Sequence, residues 1–446
     1  MTASACSLSF ELAPGGALRG ELTVPGDKSI SHRAVMLAAL AEGETEIDGF
    51  LEGADSLATL AAFRAMGIEA EGPDQGRLQV KGVGLQGLRE PGQALDLGNS
   101  GTSMRLLSGL LAGQRFASTL IGDASVSRRP MGRVIDPLTQ MGARIKATPE
   151  GRAPLRLLPA EQLVGIDYQL PVASAQVKSS LLLAGLYAQG ETCVTEPAPT
   201  RDHTERMLMA FGYPLQRQGN RVCLRGGGRL IATPIRIPAD ISSAAFFLVG
   251  ASIAQGSDLT LTQVGMNPTR IGVINILRQM GADIAIERPR ELGGEPVADL
   301  RVCAAPLRGI AIPKAQVPLA IDEFPALFIA AACADGETLL SGAAELRVKE
   351  SDRIQVMADG LSRLGVEVEP RPDGMLIRGL GAAGLLGGGR IEAHGDHRIA
   401  MAFAISALRA TAPIWINDCA NVETSFPNFA DLAAGAGLQI TELRGE

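Results

Sequence analysis

The stretch VPGDKSISHRAVMLAALAEG, residues 24–43, states the pattern on which the fold is built. A short apolar run meets a polar cluster, and an Ala/Leu-rich segment of helical length follows. The same pattern returns five more times along the chain, as LDLGNSGTSMRLLSGLLAG (95–113), LPVASAQVKSSLLLAGLYAQG (170–190), IPADISSAAFFLVGASIAQG (237–256), AIDEFPALFIAAACADG (320–336) and EAHGDHRIAMAFAISALRA (392–410). The helical segments are apolar almost all round, which predicts that each is buried in the core of its repeat.

A second repeated phrase lies downstream of each copy and consists of a helix end, a glycine and a short alternating strand. It reads FRAMGIEAE, LTQMGARIKA, LMAFGYPLQ, LRQMGADIAIE, LSRLGVEVE and LAAGAGLQI, at intervals of 69 to 84 residues. A glycine there suits the left-handed position that ends a helix, and its positions are Gly67, Gly142, Gly212, Gly281, Gly365 and Gly437. The whole repeat therefore reads β-α-β-α-β-β and predicts an α/β fold.

Six repeats are most simply arranged as two domains of three, and we expect the chain to cross between them near LIATPIRIPAD, residues 230–240. The predicted domains are residues 1–20 with 238–446, which include an N-terminal strand, and residues 21–237. The alternative is one continuous solenoid of six repeats. If the units of each domain surround a threefold axis, the polar clusters of both domains converge on a cleft between them.

Composition excludes several classes of protein. The chain has 446 residues, 46% of them apolar and 20% charged, so it has ample material for folded cores. Its net charge of −7 argues against a nucleic-acid or anionic-membrane surface. Six scattered cysteines lack Cys-x-x-Cys spacing and are expected to be reduced, and four histidines lack zinc-ligand spacing. We expect a cytoplasmic enzyme without metal, cofactor or signal peptide.

Each polar cluster precedes a buried helix, so its backbone N–H groups lie at a helix N-terminus, where anions bind. Cations and hydroxyls in the first half fit a phosphate site: Lys28, Ser29 and Arg33; Asn99, Gly101, Thr102 and Arg105; Arg128, Arg129 and Arg133; Ser174, Gln176 and Lys178; and Arg201 with His203. Some of these are equally consistent with ion pairs to Asp202 or Glu205, and His203 with a structural role.

Carboxylates join the cations in the second half. Asp322 and Glu323 open one helix, Glu350 lies among Arg347, Lys349 and Arg353, and Asp396 precedes His397 and Arg398. Acids and bases among cations suit proton transfer beside a phosphorylated substrate. The alternatives are helix capping for one acid of the first pair and a solvated charge run for Arg347 and Asp352.

Seven motifs in this order resemble the 5-enolpyruvylshikimate-3-phosphate (EPSP) synthase family along nearly the whole chain: VPGDKSISHRA, LGNSGTSMRL, RRPMGRV, ASAQVKSS, RDHTERM, LRVKESDR and GDHRIAMA. The resemblance implies the enolpyruvyl transferase fold of two inverse α/β domains, each of three β-α-β-α-β-β units. It also implies transfer of the enolpyruvyl group of phosphoenolpyruvate to the 5-hydroxyl of shikimate 3-phosphate. That reaction is the sixth step of the shikimate pathway to chorismate and the aromatic amino acids.

The resemblance also implies roles for named residues. Shikimate 3-phosphate would be held by Lys28, Ser29, Arg33, Ser174, Gln176, Arg201, Asp322 and Lys349. Phosphoenolpyruvate would be held by Lys28, Gly101, Arg129, Gln176, Arg353 and Arg398. Asp322 would take the proton of the attacking hydroxyl, and Glu350, aided by Lys28, would give and reclaim the proton at the methylene carbon. A monomer that closes on its first ligand is expected.

One departure concerns inhibition by glyphosate. The motif VETSFPNF carries Thr424 where many members have a lysine, which is similar to the second, less inhibitor-sensitive group of the family. However, Gly101 stands where one strongly resistant member carries alanine, so the sequence leaves the sensitivity of this protein to glyphosate open.

Three other functions are less consistent with the sequence than enolpyruvyl transfer to shikimate 3-phosphate. UDP-N-acetylglucosamine enolpyruvyl transferases carry a loop cysteine, but residues 115–133 contain none. Relatives of RNA 3′-phosphate cyclase would need a nucleic-acid surface, yet aromatic residues make up only 4% of an acidic chain. A non-catalytic sugar-phosphate sensor would leave Asp322 and Glu350 without a reason to lie among cations.

Overall fold

The computed structural model describes residues 8–445, so the predicted free cysteine Cys6 and the first residues of the chain lie outside the described residues. No helix within that range is long and apolar enough to cross a membrane. The α-helices are α1 (Lys28–Leu40), α2 (Ala54–Ala65), α3 (Gly101–Ala112), α4 (Ala124–Arg128), α5 (Gly132–Gln140), α6 (Ala175–Gly185), α7 (His203–Ala210), α8 (Ile241–Ile253), α9 (Gly272–Gln279), α10 (Phe324–Ala332), α11 (Arg353–Arg363), α12 (His397–Ser406) and α13 (Phe429–Ala436). Short 3-10 helices span Lys314–Gln316, Ala344–Val348, Gly381–Ala383, Ala407–Arg409 and Ala420–Thr424.

The strands are mostly short, and each repeat contributes several of them. They are β1 (Leu8–Leu12), β2 (Arg19–Leu22), β3 (Ala41–Asp48), β4 (Glu69–Asp74), β5 (Arg77–Val83), β6 (Leu95–Asp96), β7 (Ser118–Ile121), β8 (Arg144–Lys146), β9 (Leu155–Leu158), β10 (Asp167–Gln169), β11 (Glu191–Thr195), β12 (Gln216–Gln218), β13 (Arg221–Arg225), β14 (Leu230–Ile231), β15 (Ile235–Arg236), β16 (Asp258–Gly265), β17 (Asp283–Leu292), β18 (Glu295–Cys303), β19 (Asp335–Leu340), β20 (Glu367–Arg371), β21 (Gly374–Leu380), β22 (Arg390–Glu392), β23 (Ile414–Asn417) and β24 (Ile440–Arg444).

The chain divides into two compact units. The central unit comprises Gly26–Ile237 and Leu292–Glu295, and the terminal unit comprises the described residues up to Pro25, Pro238–Glu291 and the described residues from Pro296 onward. This division differs from the predicted one at two places: residues 21–25 belong to the terminal unit, and Leu292–Glu295, at the turn between β17 and β18, belongs to the central unit.

Each unit contains three small sheets. In the central unit their strand orders are β14-β3-β5-β4 with β15 beside β3, β6-β7-β9-β8 and β10-β11-β13-β12. In the terminal unit they are β17-β18-β16-β2, β19-β21-β20 and β22-β23-β1-β24. The repeat β6-α3-β7-α5-β8-β9 pairs its first two strands parallel and its later strands antiparallel, so the predicted β-α-β-α-β-β unit is confirmed. In the terminal unit, β1 pairs with β23 and β24 and completes the last repeat.

The apolar helices form the cores, as their composition predicts. All thirteen residues of α8 and all nine of α10 are buried. The helices α1, α3 and α6 fill the core of the central unit, and α8, α10 and α12 fill that of the terminal unit. Because these helices are enclosed, only their N-terminal ends offer polar groups for chemistry.

The glycines of the second phrase adopt the left-handed conformation that their position predicts. Their φ angles lie between 78° and 118°, a range that residues with a side chain rarely adopt, at Gly67, Gly142, Gly212, Gly281, Gly365 and Gly437. Each turns the chain from a helix into the strand that follows.

The cysteines depart from the expectation that all are reduced. Cys193 and Cys223 are directly opposed on the antiparallel strands β11 and β13 and form a disulfide. Cys303, Cys333 and Cys419 are free. Burial raises the pKa of the Cys333 and Cys419 thiols to about 12, which leaves both unreactive at neutral pH. The spacing of the cysteines did not predict this disulfide, because the register of two strands whose cysteines are 30 residues apart is determined by the fold.

Candidate active site

The N-terminus of α1 presents the first predicted anion-binding group. The Asp27 carboxylate caps the helix by accepting a hydrogen bond from the Ile30 amide at 2.9 Å. Lys28 follows, with 18% of its side chain exposed, and its ammonium pairs with the buried Asp55 carboxylate of α2. The ammonium is therefore fixed at the helix terminus before any substrate arrives.

Arg33 lies one turn further along α1 but is only 3% exposed. Its guanidinium donates to the hydroxyls of Thr204 at 2.7 Å and Ser179 at 2.9 Å and to the Ser29 carbonyl at 2.9 Å. These contacts tie α1 to α6 and α7. The predicted role of Arg33 as a substrate ligand stays a prediction, whereas its role in joining the three helices is evident.

The second predicted group surrounds Gly101, the first residue of α3. Ser100 caps this helix by accepting a hydrogen bond from the Ser103 amide at 3.1 Å. A Cβ atom on Gly101 would lie 2.5 Å from Nη1 of Arg129 and 3.1 Å from Nη1 of Arg105. Glycine therefore leaves room for two guanidiniums to approach the backbone, at a helix N-terminus that already favours anions.

Gln176 belongs to the same group, through contacts that residue spacing does not reveal. Its Oε1 accepts a hydrogen bond from Arg105 at 2.8 Å, and its Nε2 donates to the Thr102 hydroxyl at 3.0 Å. Ser174, also predicted to bind substrate, is the N-cap of α6 and accepts from the Val177 amide at 3.4 Å. Arg201 is partly exposed on the loop between β11 and α7.

Two candidates in the central unit have internal partners instead. Lys178 is fully buried, and its ammonium lies 2.9 Å from Glu196 and 2.6 Å from Glu205. The structure therefore supports the ion-pair alternative with Glu205 for Lys178. His203 is 2% exposed, with Nδ1 2.8 Å from a Glu295 carboxylate oxygen, and this internal contact supports the structural interpretation of this histidine.

The acids of the terminal unit form one cluster around Arg353, the first residue of α11. This guanidinium is 1% exposed and lies 2.6 Å from Glu350, 2.8 Å from Asp396 and 3.6 Å from Asp322. Burial by itself lowers the pKa of Arg353, but Asp396 and Glu350 outweigh it, so the net shift is upward and the charge is permanent. Its Nη1 is buried without a hydrogen-bond partner among the described residues, which leaves one donor for an anion.

Two further cations converge on Asp322. Nζ of Lys349 lies 3.2 Å from its carboxylate, and Arg398 donates from Nη1 to its backbone carbonyl at 3.0 Å. Arg398 also lies 3.9 Å from Glu323, a buried acid bonded to the Ser242 hydroxyl. The structure therefore brings together the predicted residues Asp322, Lys349, Glu350, Arg353 and Arg398.

Three residues have contacts at the site that their sequence positions did not predict, and only Arg105 and Asp396 among them were noted in a motif. Asp55 pairs with Lys28, and Asp396 caps α12 through the Arg398 amide at 3.0 Å while it bonds Arg353. Arg105, noted in its motif, holds Gln176. By contrast, Arg347 and Asp352 pair with each other at 2.6 Å, as expected of a charge run away from the site.

Comparison with known proteins agrees with this geometry. The family model described as EPSP synthase (3-phosphoshikimate 1-carboxyvinyltransferase) matches residues 12–432. The chain is 70% identical over 434 residues to the 3-phosphoshikimate 1-carboxyvinyltransferase of Alkalilimnicola ehrlichii, with 97% of each chain covered. It is 68% identical over 431 residues to that of Methylococcus capsulatus, covering 97% and 98%. The crystal structure of EPSP synthase from Acinetobacter baumannii superimposes with a TM-score of 0.88 at 57% identity, covering 98% of this chain and 100% of the other.

Proposed function

The chain belongs to the EPSP synthase family, and from this premise we infer that it transfers the enolpyruvyl group of phosphoenolpyruvate to the 5-hydroxyl of shikimate 3-phosphate and releases phosphate. It is thus a 3-phosphoshikimate 1-carboxyvinyltransferase of the shikimate pathway, which leads to chorismate and the aromatic amino acids. The observation that best supports this is the cluster of Asp322, Glu350 and three cations, since acids fixed among cations suit proton transfer on anionic substrates.

Asp322 is proposed as the base that takes the proton of the 5-hydroxyl. Lys349 and Arg353 lie 3.2 Å and 3.6 Å from one of its oxygens, so two cations hold the carboxylate in place. The hydroxyl then attacks C2 of phosphoenolpyruvate, and the C–O bond forms as the proton passes to Asp322. A general base of this kind contributes about 10²- to 10⁴-fold to the rate.

Glu350 is proposed to protonate the methylene carbon and to reclaim a proton when phosphate leaves. In the free protein Glu350 accepts a hydrogen bond from Arg353 at 2.6 Å. An anionic substrate that takes over this guanidinium frees the carboxylate to carry a proton. Lys28 is proposed to assist in this proton transfer.

The remaining roles follow the family pattern. Shikimate 3-phosphate is proposed to contact Ser29, Arg33, Ser174, Gln176, Arg201 and Lys349 as well as Lys28 and Asp322. Phosphoenolpyruvate is proposed to contact Lys28, Gly101, Arg129, Gln176, Arg353 and Arg398. Fixed cations at these positions stabilise charge that builds on phosphate and carboxylate during the reaction. We further propose that the enzyme acts as a cytoplasmic monomer.

Glyphosate is proposed as an inhibitor that competes with phosphoenolpyruvate. Without a Cβ atom at Gly101, the Arg129 guanidinium can lie closer to the backbone than an alanine methyl group would allow. Thr424, where many members have lysine, is 7% exposed and donates its hydroxyl to the Asn421 carbonyl at 2.7 Å, so it is engaged within its own 3-10 helix. Sensitivity is therefore expected to depend on Gly101 and to lack the contribution of that lysine.

The test is phosphate release from phosphoenolpyruvate, with shikimate 3-phosphate or UDP-N-acetylglucosamine as acceptor. Turnover is expected with shikimate 3-phosphate alone and should fall at least 100-fold in Asp322→Asn, which removes the base but keeps the shape. Asp359→Asn, an exposed carboxylate on α11, is the control and should retain wild-type turnover. Turnover with UDP-N-acetylglucosamine alone would overturn the assignment, and a fully active Asp322→Asn would overturn the role of the base.

A further inference from the structure

A buried histidine lies behind Ser100 and Gly101 at the start of α3, which together with the adjacent Arg129 guanidinium are called the proposed phosphoenolpyruvate loop, and it has no part in the steps above. His32 of α1 is fully buried. Its Nδ1 lies 2.8 Å from the Thr59 hydroxyl of α2 and 3.2 Å from the Ser103 hydroxyl of α3, and its Nε2 lies 3.5 Å from the Ser100 hydroxyl. One imidazole therefore contacts two neighbouring helices and the N-cap of one of them.

The hydroxyls that surround the imidazole also bond one another. Thr59 Oγ1 lies 2.5 Å from Ser103 Oγ, which lies 2.8 Å from Ser100 Oγ. The four side chains form one continuous hydrogen-bonded network inside the core of the central unit. Such a network is costly to bury unless its members satisfy one another, and it then fixes the elements that carry it.

Each end of the network reaches a group that is proposed to hold substrate. At one end, Thr59 donates to the Asp55 carbonyl at 3.3 Å, one helical turn away, and the Asp55 carboxylate pairs with Lys28. At the other end, Ser100 precedes Gly101, whose backbone the Arg129 guanidinium approaches. Lys28 and Gly101 are thus linked through one ion pair, three hydrogen bonds of 2.5–3.3 Å and the backbone of Asp55 and Ser100.

The alternative is that His32 only fills space in the core. A leucine or phenylalanine would fill that volume without an imidazole that must be kept neutral. Burial, followed by the charges of Lys28 and Arg33, lowers the pKa of His32 well below 6.5, whereas Asp27 opposes the shift. A side chain so costly to bury, with both ring nitrogens near hydroxyls, indicates that the hydrogen bonds themselves are used.

We propose that His32 is a positioning residue for phosphoenolpyruvate, which holds the N-terminus of α3, and with it Gly101, in register with Lys28. The proposal rests on the function proposed above, in particular on the roles of Gly101 and Arg129. It predicts an effect on the binding of phosphoenolpyruvate but not on the binding of shikimate 3-phosphate. Loss of the imidazole disturbs the phosphoenolpyruvate loop, whereas Arg33 remains bonded to Thr204 and Ser179 on other helices.

The experiment separates the two substrates. In His32→Leu, the KM for phosphoenolpyruvate at saturating shikimate 3-phosphate should rise at least tenfold. The Kd for shikimate 3-phosphate alone, measured by calorimetry, should stay within threefold of wild type. His32→Asn, which keeps polar atoms near the position of Nδ1, should restore the KM to within threefold. Thr59→Val, close to isosteric, breaks the same network without removing the imidazole and should raise the KM for phosphoenolpyruvate in the same selective way.

Two controls make the outcome decisive. Leu183→Ala, a buried core position of α6 at 1% exposure, should lower stability without separating the two substrates. Arg129→Gln tests the proposed loop itself. If it leaves the KM for phosphoenolpyruvate unchanged, the role of the loop is wrong and the positioning role falls with it. If Arg129→Gln raises the KM but His32→Leu and Thr59→Val do not, or weaken both substrates equally, the positioning proposal alone is overturned.

Discussion

Replacement of Gly101 by alanine tests the geometry of the phosphoenolpyruvate loop with a single methyl group. The new Cβ would lie 2.5 Å from Nη1 of Arg129, against an ordinary contact distance of 3.4 Å or more. The guanidinium must therefore retreat by about 0.9 Å, the difference between the two distances. Arg129 is 8% exposed, so its retreat is confined by neighbours, yet the atom that moves is the end of a flexible side chain.

The effect on binding and the effect on stability should have opposite signs. A retreat of this size weakens a hydrogen bond between Arg129 and the bound anion, and such charged hydrogen bonds contribute about 1.5–3 kcal/mol. The KM for phosphoenolpyruvate should then rise by about 10- to 150-fold, since 1.4 kcal/mol corresponds to a factor of about ten. Gly101 has an ordinary negative φ, so alanine there should stabilise the fold by up to about 1 kcal/mol.

Phosphate release at saturating shikimate 3-phosphate measures the KM, and thermal unfolding measures the stability. Gly132→Ala is a matched control because Gly132 is also the first residue of a helix in the central unit, and its Cβ would meet only Asp136 at 3.8 Å. Glyphosate inhibition should weaken in Gly101→Ala alone. An unchanged KM for phosphoenolpyruvate in Gly101→Ala, or an equal rise in Gly132→Ala, would refute the assignment of this loop.

Three further predictions concern buried groups. Asp396→Asn leaves the guanidinium of Arg353 without its closest fully buried carboxylate, so the free energy of unfolding measured in urea should fall by about 3–5 kcal/mol; a loss below about 1 kcal/mol would show that the pair is dispensable. Because the pKa of His32 is lowered in the folded state, its protonation favours unfolding: its contribution to stability is complete above pH 6.5 and is lost as the pH falls. The decrease in the free energy of unfolding between pH 7.5 and pH 5.5, measured in urea, should therefore be about 1.4 kcal/mol larger in wild type than in His32→Asn, and equal decreases would contradict the burial of a neutral imidazole. Reduction of the Cys193–Cys223 disulfide, which closes a loop of 30 residues, should lower stability by about 3–4 kcal/mol in wild type and by nothing in the Cys193→Ser/Cys223→Ser double variant; indifference of the wild type to dithiothreitol would mean that the disulfide does not form in solution.

The repeat and the helix N-termini were predictable because they are local features. A glycine that ends a helix and a polar cluster that starts one are determined within a few residues, so the left-handed Gly67 and its five counterparts could be located from the sequence. The cluster around Asp322 was predictable for a second reason, since its cations and acids recur in a motif set typical of one family.

Partnerships between distant residues were not predictable. Lys178 and Lys28 both lie within the first four residues of a helix that begins in a polar cluster, yet Lys178 is fully buried against two glutamates and Lys28 is partly exposed beside Asp55. The difference depends on which residues pack over each helix end. Over Lys178 these are Glu196, directly after β11, and Glu205 on α7. The same holds for Cys193 and Cys223, whose pairing depends on strand register.

Carboxylates explain how an acidic chain holds two anionic substrates. In the free protein Lys28 is paired with Asp55, and Lys349 with Asp322, so neither cation has to be ordered when a substrate binds. We propose that the substrate anion replaces the carboxylate as the partner of each cation, so the net gain in binding free energy is smaller than with an unpaired cation. Because the cations are already ordered, they can stabilise the charge that develops in the transition state without rearrangement of their side chains. The pairing therefore favours turnover over tight binding of the ground state, which is the balance that catalysis requires.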